Sequence, residues 1–76
     1  MAVLDDIKKI IVDIKDIPED DIKMESRFTE DLDADSLDMV EMLMQLEEKH
    51  DIHVPEEDAE KILTVEDLVN YIEARI

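Results

Sequence analysis

The sequence predicts an all-α fold: a small four-helix bundle of three main helices and one short helix, forming a single domain over residues 1–76. Three observations lead there. Apolar residues recur at three- and four-residue spacing in separate stretches. Two of those stretches open on residues suited to helix N-caps. Strand-like alternation of any length is missing.

The first helix is read from Val3, Leu4, Ile7, Ile10, Ile11 and Ile14, which share one face over residues ~3 to 15. Pro18, in IPEDD, falls beyond its end. A long connector follows from Ile17 to Ala34, and Ile22, Met24, Phe28 and Leu32 are the side chains able to pin it to a core. The second helix starts with Asp35 as N-cap and runs to about His50. Ser36, Leu37 and Asp38 fill its first turn, where a carboxylate accepts backbone N–H bonds and complements the helix dipole. Pro55 opens PEEDAEKI, a short helix of one or two turns. Thr64 begins TVED, a capping box with aspartate in place of glutamate, and Val65, Leu68, Val69, Ile72 and Ile76 form one narrow stripe behind it. Glycine is wholly absent, so any positive φ at a helix end or turn must fall on Asp, Asn or Lys.

Charge narrows the function classes. Twenty-four acidic residues against eight basic ones leave −16 on 76 residues. Such a field repels nucleic acid and anionic membranes, and it attracts basic protein surfaces and, weakly, divalent cations. With no cysteine, disulfides and thiolate metal sites are excluded. No apolar run approaches the roughly 18 residues of a membrane span, and no signal-peptide pattern precedes the first helix, so membrane insertion is not expected.

The second helix is too apolar for a simple surface helix. On a wheel, Met39, Met42, Leu43, Leu46 and His50 occupy one broad face. Leu37, Val40 and Met44 form a second apolar stripe, set off from the first by Glu47. Either the helix is central and packs on two sides, or the second stripe meets something outside the domain. In the latter case an apolar strip edged by carboxylates suits a partner with a basic rim around an apolar groove.

At the head of that helix lies DLDADSLDMVEM, Asp31 to Met42. Asp31, Asp33 and Asp35 hold the first, third and fifth places of an EF-hand loop, but Ser36 stands where glycine is needed and Met42 where a bidentate glutamate is needed. A catalytic serine fares no better. The histidines are His50 and His53, and along a continuous helix His50 lies roughly 21 Å from Ser36, out of reach of a general base. Two readings of Ser36 remain from chemistry alone: a plain first-turn serine, or one that is modified, its phosphate served by free N–H groups and the helix dipole.

The sequence resembles the acyl carrier proteins of the dissociated (type II) fatty acid synthase. The residues that carry the resemblance are Asp35-Ser36-Leu37-Asp38 within EDLDADSLDMVEMLMQLEE, together with HDIHVP at His50–Pro55 and EEDAEKILTVEDLVNYI after it. It extends over nearly the whole chain and implies an acyl-carrier-like helical bundle without catalytic activity. It implies that Ser36 carries 4′-phosphopantetheine, transferred from coenzyme A by a separate Mg²⁺-dependent phosphopantetheinyl transferase. Acyl groups then ride as thioesters between the enzymes of fatty acid synthesis. It implies contacts to basic patches on those enzymes from Asp35, Leu37, Asp38, Val40, Glu41, Met44, Glu47 and Glu48. It offers Met39, Leu43, Leu46, Ile62 and Leu68 as walls of an acyl-chain cavity, for which ordinary core is the competing reading. A monomer is expected, in the cytoplasm or an organelle matrix.

Two residues depart from the family pattern. Asp33 stands where the family usually has glycine, at a place where aspartate tolerates unusual backbone angles. His50 stands where a core aromatic is usual; as a half-buried imidazole it is expected to resist protonation, so that acid loosens the end of the second helix. A metal site from His50 and His53 lacks an evident third ligand. The competing functions are a polyketide, peptidyl or D-alanyl carrier, and an acidic module that binds cations or proteins. In every case the charge should oppose compaction, so added salt or Mg²⁺ should raise the melting temperature. A melting temperature indifferent to both would show that self-repulsion does not limit this fold.

Overall fold

Burial follows the apolar spacing of the first stretch. In the computed structural model, which describes residues 3–76, α1 spans Val3–Lys15 and buries Val3, Ile7, Ile10 and Ile11 on one face. Leu4 and Ile14 lie half-buried against the same core. Three further helices follow: α2 (Ser36–His50), α3 (Glu56–Ala59) and α4 (Val65–Glu73). A single 3-10 turn at Glu19–Asp21 interrupts the connector after Pro18. Helix α1 packs on both α2 and α4. Between them Ile7, Leu46, Leu68 and Ile72 are completely enclosed. Each such side chain contributes on the order of 1.5–3 kcal/mol through burial.

The connector is built into the core. Ile22, Phe28 and Leu32 are buried, with Met24 half-buried beside them, as their apolar character demands. Its backbone also completes α4. The N–H of Val65 donates to the Ser26 carbonyl at 2.9 Å, and that of Glu66 to the Met24 carbonyl at 2.9 Å. The capping box supplies the rest: Asp67 N–H donates to Thr64 Oγ1 at 3.1 Å, and Thr64 N–H to Asp67 Oδ2 at 3.2 Å. The first-turn donors of α4 therefore all have partners, which a helix end facing other chain segments needs. Phe28 N–H donates to the Leu63 carbonyl at 3.1 Å, and Arg27 pairs with Thr64 in one isolated β-bridge.

One expectation needs correction. Ile76 does not extend the stripe on the last helix: α4 ends at Glu73, and Ile76 is exposed beyond it. Val65, Leu68, Val69 and Ile72 are buried as the stripe requires, but the helix stops short of Ile76, and in the tail it is Arg75 that folds back, 3.6 Å over the centre of the Tyr71 ring. His50 is half-buried, as expected, and its neighbour on α1 is a carboxylate. Its Nε2 lies 3.3 Å from Asp6 Oδ2, although without the alignment of a hydrogen bond, and Lys49 Nζ holds the other oxygen of Asp6 at 3.0 Å.

In this chain without glycine, the residues with positive φ are Asp16 (56°), Asp33 (55°) and Asp51 (55°). Asp16 directly follows α1 and Asp51 follows α2. The left-handed turn at Asp51 lets the Ile52 N–H fold back to the Glu47 carbonyl at 3.1 Å, which ends the helix. Asparagine and lysine are not used this way among the described residues. Aspartate costs less there than a bulky residue, but it retains a Cβ that glycine lacks. Asp51→Gly should therefore stabilise the fold by about 1 kcal/mol, and Asp51→Ala should destabilise it, as read by urea denaturation. An alanine variant as stable as the parent would refute the backbone argument.

Candidate functional site

The side chains gathered around Ser36 are placed there by the cap that starts α2. Asp35 is extended (φ −96°) and caps the helix: its Oδ1 accepts from Asp38 N–H at 3.0 Å. Asp38 Oδ2 accepts in return from Asp35 N–H at 3.2 Å. The Met39 N–H goes to the Asp35 carbonyl at 3.0 Å. The N–H groups of Ser36 and Leu37 have no partner among the described residues. This is the reverse of α4, whose equivalent groups are taken by the connector. Ser36 thus stands exposed in a first turn with two open donors, the setting in which a helix terminus receives an anion.

One cation reaches this turn. Lys15, the last residue of α1, places Nζ 3.0 Å from Asp38 Oδ2, the oxygen that also serves the cap. The Lys15 hydrogen bond is the main cause that holds the Asp38 carboxyl below the usual range, and the Asp35 backbone N–H adds to it. Reciprocally, the hydrogen bond to Asp38 raises the Lys15 amine, with help from the charges of Asp33 and Asp35.

Two concavities flank the serine. One, about 530 Å³, counts Ser36 in its wall with Phe28, Ala34, Met39, Val40, Ala59 and Ile62. The other is a depression of about 500 Å³ along the outer face of α2, lined by Leu37, Val40, Glu41, Met44, Gln45 and Glu48. Val40 borders both.

The two-stripe question is thereby resolved. Met42, Leu43 and Leu46 are buried in the core, whereas Leu37, Val40 and Met44 are 78, 54 and 56% exposed. Helix α2 packs on one side only and presents a second apolar strip outward. Of the acidic residues expected at a partner surface, Asp35, Glu41 and Glu48 are exposed. Asp38 and Glu47 are half-buried and engaged internally: Glu47 Oε2 accepts the Val54 N–H at 2.8 Å and lies 3.1 Å from His53 Nδ1. The residues expected to wall an acyl cavity divide as well. Met39 and Ile62 line the groove beside Ser36, while Leu43, Leu46 and Leu68 lie in the core outside that lining.

Sequence reasoning missed Lys15 at the site, and it missed Phe28, Ala34, Ala59 and Leu63 as groove lining. Phe28 was visible as a pinning residue, but nothing local ties Lys15 to an aspartate 23 positions away. The calcium pattern dissolves in the same way. Asp31 accepts the Arg27 N–H at 2.8 Å, Asp33 makes a turn and Asp35 caps a helix. Among the described residues no group of His, Cys, Asp and Glu is arranged to hold a metal ion, and His50 and His53 face different carboxylates.

The chain matches the family described as "Phosphopantetheine attachment site" over residues 5–72. It is 56% identical to the acyl carrier protein of Campylobacter lari over 73 residues, which covers 96% of this chain and 95% of that one. It is 55% identical to that of Wolinella succinogenes, again over 73 residues and 96% of each chain. Among solved structures, acyl carrier protein from Enterococcus faecalis superposes with a TM-score of 0.84 at 35% identity, covering all of both chains.

The charge of Asp38 leaves a pH signature. Its carboxyl is lowered by folding, so its stabilisation is present above the ordinary aspartate range and fades as pH falls through its folded value. Lys15 is raised, so its share is present below the ordinary lysine range and is lost as pH climbs through its folded value. The melting-temperature gap between wild type and Asp38→Asn should be full between the ordinary aspartate and lysine ranges and should close in acid, once pH has fallen below the lowered folded value of Asp38. A gap that persists in acid would mean that Asp38 acts through shape rather than charge.

Proposed function

The chain belongs to the acyl carrier protein family, and on that premise we propose that Ser36 is its attachment residue for 4′-phosphopantetheine. As a member of that family it is a carrier in fatty acid biosynthesis rather than a catalyst. The observation that carries the Ser36 assignment is its position: an exposed hydroxyl in the first turn of α2, beside two open backbone N–H groups and an apolar groove. These residues fit the group. The open N–H groups of Ser36 and Leu37 and the positive end of the helix dipole would hold a phosphodiester placed on Ser36. The bound arm supplies a thiol on which acyl groups travel as thioesters.

The chain's own contribution is presentation. The Asp35–Asp38 cap fixes the direction of the serine, and its lack of a neighbouring base suits a residue that is modified by another protein. That protein, in this reading, is a separate phosphopantetheinyl transferase using coenzyme A. Together with the enzymes of fatty acid synthesis, it would dock a basic rim around Leu37, Val40 and Met44, with Asp35, Glu41 and Glu48 as the open carboxylates. Asp38 and Glu47 belong to the same face, but their carboxylates are engaged. Mobile divalent cations would moderate the repulsion between the phosphate and its acidic neighbours without a dedicated site.

For the acyl chain, the groove beside Ser36 supports Met39 and Ile62 as walls, joined by Phe28, Ala34, Val40 and Ala59. Leu43, Leu46 and Leu68 support the core first, and a chain would touch them only by parting packed side chains.

Incubation with coenzyme A, Mg²⁺ and a phosphopantetheinyl transferase should add one phosphopantetheine to wild type and none to Ser36→Ala, by intact mass. Failure of wild type to gain the mass, or its gain by the alanine variant, would sink the assignment.

A further inference from the structure

We infer that Lys15 is a specificity-determining residue: by holding Asp38, it withdraws one carboxylate from the acidic face of α2 that basic partners read. This rests on the reading of that face as a partner surface. Five carboxylates stand on or beside it, Asp35, Asp38, Glu41, Glu47 and Glu48. Asp38 is the one that carries a lysine, at 3.0 Å, with both side chains mostly covered (24 and 21% exposed). Its Oδ2 also accepts the Asp35 N–H, so both contacts fall on one oxygen, and a partner's arginine approaching the other would meet a carboxylate whose charge Lys15 already offsets. Glu41 and Glu48 border the exposed apolar depression and are exposed.

The clamp is set by the fold. Lys15 ends α1, Asp16 then turns the chain away with positive φ, and α1 packs on α2. The ammonium is therefore delivered to the serine end of α2, where Asp33 and Asp35 add to its attraction. A partner whose basic groups match Glu41, Glu48 and Asp35 gains full pairing here. One that depends on the Asp38 position meets an occupied acid and a nearby positive charge.

The experiment is a double-mutant cycle on modification of the apo protein, with kcat and KM for a basic-surfaced phosphopantetheinyl transferase measured for wild type, Lys15→Met, Asp38→Asn and the double variant. Glu41→Gln serves as the reference for an open carboxylate, and thermal melts confirm that each variant is folded at the assay temperature. Lys15→Met should lower KM by about threefold or more with kcat little changed, and Lys15→Arg should keep the wild-type KM. Asp38→Asn should shift KM by about threefold or more beyond its wild-type effect when made in the Lys15→Met background. An Asp38→Asn effect of equal size in both backgrounds overturns the inference while leaving the partner surface intact. If Glu41→Gln also fails to move KM, the partner surface itself falls and the clamp's role falls with it.

Discussion

One oxygen joins three residues of this chain, two at the head of α2 and one at the end of α1. Asp38 Oδ2 accepts the Asp35 N–H that closes the α2 cap and the Lys15 ammonium that ends α1. The cap fixes where α2 begins, and the lysine fixes how that beginning lies against α1. Ser36 lies between the two cap residues, so its direction follows from contacts that it does not make itself. The arrangement is electrostatic in a protein whose charges mostly repel. Net charge of −16 is spread over a body of 27 × 26 × 19 Å, and each favourable pair near the site counts against that background.

The apolar core answers the same repulsion by other means. Helices α1, α2 and α4 are brought together by isoleucine, leucine, valine and methionine, while the connector contributes Ile22, Phe28 and Leu32. What remains apolar and uncovered is concentrated on α2, at Leu37, Val40 and Met44. Isolated exposed apolar residues need no special account, but a strip of them beside an exposed serine hydroxyl is a contiguous apolar surface. Val40 borders both that strip and the groove beside Ser36, so the two share a wall.

Much of this was legible in the residues. The apolar spacing of α1 gave its face and, with Pro18 beyond it, its limits; the left-handed Asp16 that ends it was not visible. Asp35 and Thr64 announced their helices through local chemistry alone, each bonding a group three residues away. The absence of glycine foretold aspartate at positive φ, and Asp33 fills that role where the family usually has glycine. Non-local facts escaped. Which carboxylates on α2 are open depends on Lys15 and Val54, residues on other segments of the chain. The groove beside Ser36 owes Phe28 and Ala34 to the connector and Ala59 to α3, and no periodicity links them. Ile76 kept the spacing of a stripe after the helix had stopped, since spacing records eligibility for burial and not the presence of something to pack against.

The carbonyls of Ser26 and Met24 that complete the first turn of α4 have a consequence for how the molecule comes apart. At nine residues, α4 is shorter than the roughly 12–15 at which isolated helices become even marginal in water. It is therefore a product of docking, on α1 through its apolar stripe and on the irregular connector through these bonds. Neither is a foldon by itself. Connector and terminal helix form or melt together, so a lesion in the loop before Ser36 would be felt at the far end of the chain as lost helicity.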